Sequence, residues 1–172
     1  MYTSPFANIY NAVLERLAAK APLLRYIDQD LGQLENYEMR PPVAWPCALI
    51  DIEDVIFSDF GDNLGQNAEG FVQIRVGQQQ YSPANKLAPK AIRDMALKYY
   101  DTEQEVFEAL HGFTAPGFSK LLRRAVKNEQ RNDDLRVRVI RFAFSFEDTT
   151  GSKKYTKLAT PLPNINPDSL QV

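Results

Sequence analysis

Ile140, Phe142, Phe144 and Phe146 alternate with Arg141, Ala143, Ser145 and Glu147. Period-two alternation turns every large apolar side chain of a strand to one face. Three phenylalanines and an isoleucine in one row need a sheet around them and a layer over them. Immediately upstream, Leu135, Val137 and Val139 occupy the opposite phase. A phase switch near Val139-Ile140 predicts a β-bulge or a sharp bend in this strand, residues 135–147.

The rest of the chain supplies both partners and cover. Cys47 to Phe57 is rich in β-branched residues, with Ile50 and Ile52 alternating with Asp51 and Glu53, and reads as a strand. Residues 71–79 read as a second, with Val72, Ile74 and Val76 on one face and Gln73 and Arg75 on the other. Residues 58–70, rich in Asp, Asn and Gly, read as the solvated tip of a long hairpin. Residues 118–130 read as a third strand, and Asn132-Asp133-Asp134 as the turn before the last. Residues 25–38 fit either an extended edge strand or an irregular segment.

Helical spacing occurs three times. Ser4-Pro5 is a helix start, followed by Phe6, Ile9, Tyr10, Val13, Leu14 and Leu17 along one stripe, until Ala21-Pro22 ends it. Ile92, Met95, Ala96 and Tyr99 make a second stripe, and Val106, Phe107 and Leu110 a third. Thr102-x-x-Glu105 has the form of a capping box, placing a break near Asp101, and Gly112 is a natural stop. The expected architecture is α+β: a twisted antiparallel sheet of about four strands in two hairpins, with an N-terminal helix and central helices on one face. Residues 1–148 form one domain. Residues 149–172, with prolines at 161, 163 and 167, read as a flexible or partner-bound tail.

Chemistry-bearing motifs are scarce. The single histidine, His111, sits at a helix end, where an imidazole suits the negative dipole better than it suggests a general base. Cys47, the single cysteine, reads as a buried structural thiol; no internal disulfide and no cysteine-based zinc site is possible. Asp51, Glu53 and Asp54 form an acidic cluster without the spacing of a metal loop. No phosphate-binding glycine loop or nucleophile elbow occurs. The expectation is a non-enzyme without cofactor or metal. No apolar stretch approaches eighteen residues, so no transmembrane helix and no membrane partner is expected.

Charge distribution is more informative than motif. Residues 28–69 carry ten acidic side chains against one basic, a net −9, whereas residues 120–141 carry eight basic against three acidic, a net +5. The two regions either pair within one fold, bind nucleic acid, or join the acidic face of one copy to the basic face of the next. The overall charge of −2 and the lack of interleaved aromatics on the basic strands make nucleic acid the weakest of the three. Head-to-tail contacts of identical copies close into rings. This reading nominates Asp51, Glu53, Asp54, Arg123, Arg124, Lys127, Arg136 and Arg138 as subunit-interface residues.

The layout of Phe6–Ala19, Pro46-Cys47-Ala48-Leu49-Ile50-Asp51-Ile52, Gly70-Phe71-Val72-Gln73-Ile74-Arg75-Val76, Thr102–Gly112 and Leu135–Asp148 resembles the tail-terminator, or tail-completion, proteins of long-tailed bacteriophages and the related minor tail and neck proteins. The resemblance spans roughly residues 5–148; the connector and extra helix at 80–100 and the tail after 149 are additional. It implies a virion protein, assembled in the host cytoplasm, that forms a homo-oligomeric, hexameric ring. The ring would stop the tail tube and meet the head-tail connector, with hairpin loops 58–70 (Asp59, Asp62, Asn63, Asn67, Glu69) and 128–134 facing those partners. Another neck or baseplate adaptor fits the same resemblance. From other classes, a metal-dependent enzyme using residues 51–54 and a nucleic-acid module using 120–141 stay open.

Overall fold

The computed structural model describes residues 3–35, 42–60, 65–79, 84–131 and 133–151. Helix α1 (Pro5–Lys20) opens the fold, with proline at the first helical position and Ser4 as N-cap. It buries Ile9, Val13 and Leu17. The Ala21 N–H closes its last turn on the Leu17 carbonyl at 2.8 Å. Strands β1 (Tyr26–Gln29), β2 (Cys47–Phe60) and β3 (Gly65–Gln79) follow, then helices α2 (Lys90–Leu97) and α3 (Tyr99–Leu110), then β4 (Leu122–Glu129) and β5 (Leu135–Asp148). The fold is α+β, as the alternation predicts.

The strands form one mixed sheet in the order β1-β2-β3-β5-β4. The two hairpins lie side by side through β3 and β5, paired without a break from Gln66↔Asp148 to Gln79↔Leu135. There are five strands rather than about four, because Tyr26–Gln29 adds to β2 as a short parallel edge. Such an edge has no hairpin turn to announce it in sequence.

Phe142 lies at the centre of the main core with Ile50, Ile74, Val72 and Ile140, and α1 and α3 cover this face with Val13, Leu17, Val106 and Leu110. The opposite face carries a smaller core of Leu34, Cys47, Leu49 and Val137, with Trp45 and Tyr26 against it. This explains the phase switch without a bulge in β5. Val137 is buried with Leu34, with Val43 and Trp45 packed against that cluster, on one face, and Ile140 onward lies beneath the helices on the other. The bulges sit elsewhere, in β2 between Glu53 and Ile56 and in β4 between Arg123 and Ala125. At the first, Asp54 takes a left-handed φ of 52°.

Three local expectations fail. Most of segment 58–70 is strand rather than loop, because β2 runs to Phe60 and β3 starts at Gly65, with Phe57 opposite the buried Ala68. Thr102 does not cap a helix: α3 begins at Tyr99, and Thr102 is buried within it. Glu105 instead accepts the Leu23 N–H at 3.0 Å, tying α3 to the end of α1. On α2 only Ala96 is buried, while Ile92 and Met95 stay 40% and 61% exposed.

Gly77 shows how tightly the smaller core is closed. A Cβ there would meet Cys47 Sγ and the Trp45 ring at 2.8 Å each. Gly77→Ala is expected to cost about 1–3 kcal/mol through overpacking, seen as a lower midpoint in urea unfolding with an unchanged slope.

Candidate functional site

The strongest polar constellation lies on the sheet face opposite the helices. β3 carries Arg75 there, opposite Leu49 of β2 and Val139 of β5. Its guanidinium holds Asp30 at 3.0 Å and Glu129 at 2.9 Å, and also pairs with Glu35. Arg131 extends the network to Glu129 and Asp133, at 2.7 Å each, and donates to the Leu34 carbonyl at 2.7 Å. Two arginines thus tie the 30–35 segment to the β4–β5 connection. Arg75 is the member that the charge count hides, since it lies outside both charged segments.

Hydrogen bonds from Arg75 hold the Glu35 carboxyl below its ordinary value of 4.5, and those from Arg131 do the same for Asp133. A carboxyl lowered by folding stabilises the folded state above its unfolded pKa and gives that up as pH falls through the folded value. Thermal melts from about pH 7 to about pH 3 should therefore show Tm falling through the acid range. In Arg131→Gln that acid limb should be shallower, because the pull on Asp133 is gone.

The nominated interface residues divide. Glu53 and Asp54 pair with Arg141 of β5, Glu53 at 2.7 Å, and burial raises the Glu53 pKa against the opposing pull of Arg141. Arg138 pairs with Glu103 of α3 at 3.1 Å. Arg136 lies over the Tyr99 ring at 3.5 Å and Arg123 over the Phe107 ring at 3.6 Å. Part of the charge segregation is therefore satisfied inside one copy. Arg124 and Lys127 are exposed on β4 and make no ion pair among the described residues. The Asp51 carboxylate accepts the adjacent Ile52 N–H at 2.8 Å.

Of the residues expected to face tube or connector, Asp62 and Asn63 lie outside the described residues. Asp59 is in β2, accepting from Gln66 at 2.8 Å, and Asn67 and Glu69 are in β3. Asn67 and Glu69 line an open groove of about 690 Å³ together with Ser58, Ser119, Ser145 and Glu147.

Burial pushes the Cys47 thiol up to about 12, well away from a thiolate nucleophile. His111 Nδ1 accepts the Arg123 N–H at 3.2 Å, and its ring lies 4.9 Å from Phe107. Among the described residues no group of three or more His, Cys, Asp or Glu could hold a metal ion. No helix among them is long and apolar enough to cross a membrane.

No family model and no curated protein matches the chain. A solved structure does: a chain of the virion of a native gene transfer agent particle, with a TM-score of 0.53 and 16% identity, over 86% of this chain and 100% of that one. The two chains share a fold. At that identity the likeness is one of fold.

Proposed function

We propose that this chain is a virion structural protein, a ring-forming tail terminator that closes the tail tube and joins it to the head connector. The observation that carries the reading is the shared fold: a virion component superposes over its whole length on this chain. The element order that resembles tail-completion proteins supports the finer assignment. The protein works by shape and charge, as a homo-oligomer, most naturally a hexamer, without cofactor or catalysis and without direct contact to nucleic acid or membrane. It acts in the virion, after assembly in the host cytoplasm. The exposed cations Arg124 and Lys127 and the apolar side chains left outside the core are the surfaces such an assembly would use.

The test is polymerisation of the cognate tail-tube protein, followed by electron microscopy. Added in stoichiometric amounts, the chain should shorten the tubes and appear as density at one end. An unchanged length distribution with bare ends at excess would overturn the terminator assignment.

A further inference from the structure

The sheet has two open edges of different character. Among the described residues β4 is the outermost strand on one side, paired on its inner side alone. On the other side β1 pairs only with Cys47 to Ile50 of β2, so among the described residues Ile52–Phe60 has no outer partner. Unpaired strand edges template further pairing, and charge on an edge blunts its pairing with a like-charged edge but not with one of opposite sign. β4 carries Arg123, Arg124 and Lys127 against Glu129, whereas residues 51–60 carry Asp51, Glu53, Asp54 and Asp59; Arg141 pairs with Glu53 and Asp54 within the copy, which leaves Asp51 and Asp59 without an ion pair among the described residues.

Exposed apolar side chains accompany the charges: Leu122 and Val126 on β4, and Ile56, 75% exposed, with Phe60 on β2. Strand direction also suits pairing. β2, β3, β5 and β4 alternate in direction across the sheet, so copies repeated about an axis along the strands set β4 of one antiparallel to β2 of the next. Two β4 edges would repel each other, as would two β2 edges, which disfavours a two-fold dimer and leaves the head-to-tail contact that closes rings.

We infer that the Leu122–Glu129 edge of one copy pairs with the Ile52–Phe60 edge of the next, extending the sheet from subunit to subunit. This rests on the ring reading above and names the contact that would build it.

Cross-linking tests the contact. Val126→Cys is combined in turn with Ile56→Cys, Phe57→Cys and Ser58→Cys, all exposed positions, and treated with a short bis-maleimide; the buried Cys47 stays silent. At least one double variant should give a covalent ladder ending at the closed oligomer on a denaturing gel. The matching single variants mixed together should stop at covalent dimers, and each single variant alone should give none. Native mass spectrometry is run on the same samples. An oligomer that yields no ladder from any pair overturns the edge contact but leaves the ring. A monomer at all concentrations overturns both. A ladder that appears only after removal of residues 152–172 assigns the edge to the tail and also overturns the contact.

Discussion

Arg75→Ala is expected to lower the unfolding free energy by about 3–5 kcal/mol, the usual cost of breaking a buried ion pair from one side. The Arg75 side chain is 11% exposed and faces Asp30, itself 12% exposed, together with Glu35 and Glu129. Its removal leaves three carboxylates around one vacated position, with Arg131 reaching only two of them. The loss falls on the 30–35 segment, because the ion pairs of Asp30 and Glu35 tie it to β3. Chemical denaturation gives the size, and hydrogen exchange should show the backbone of 30–35 losing protection before β3 does. Arg75→Lys keeps the charge but not the fork that serves three partners, so it should recover only part of the loss. Wild-type stability in Arg75→Ala would show that the network is surface decoration.

Phe142→Ala is expected to cost about 3–5 kcal/mol by a different route. Phe142 is fully buried, with Val72 opposite it on β3 and Arg123 on β4. Truncation removes its transfer free energy and leaves a cavity under α1 and α3. The effect should be independent of pH, unlike that of Arg75→Ala, which should shrink in acid as the carboxyls protonate. Equal pH profiles for the two variants would contradict this division between packing and charge.

The elements were legible where a periodic pattern meets one covered face. The phenylalanine row of β5, the Ile9–Val13–Leu17 stripe and the Val72–Ile74–Val76 alternation all face the main core. Legibility failed where a second layer covers the other face, so that Val137 in β5 reads as a bulge when it is a change of cover. It failed again at Ile92 and Met95, whose spacing is helical but whose side chains stay in solvent. Thr102 looked like a cap because sequence cannot tell a buried helical threonine from a capping one.

For the candidate site, charge counting found the acidic and basic regions but not their pairing. Arg75 organises much of that pairing and belongs to neither region. Glu53 and Asp54 meet Arg141 within the copy. The residues that stay outward, Arg124 and Lys127 with Val126 and Leu122, lie on a strand edge, and edges are set by topology rather than by local pattern.

The most direct measurement is the particle mass of the purified chain, paired with a negative-stain image at low salt. A discrete closed oligomer is expected, seen end-on as a ring with a central hole and dissociating as salt screens its opposed edges. A single species of monomer mass at every protein and salt concentration would contradict it.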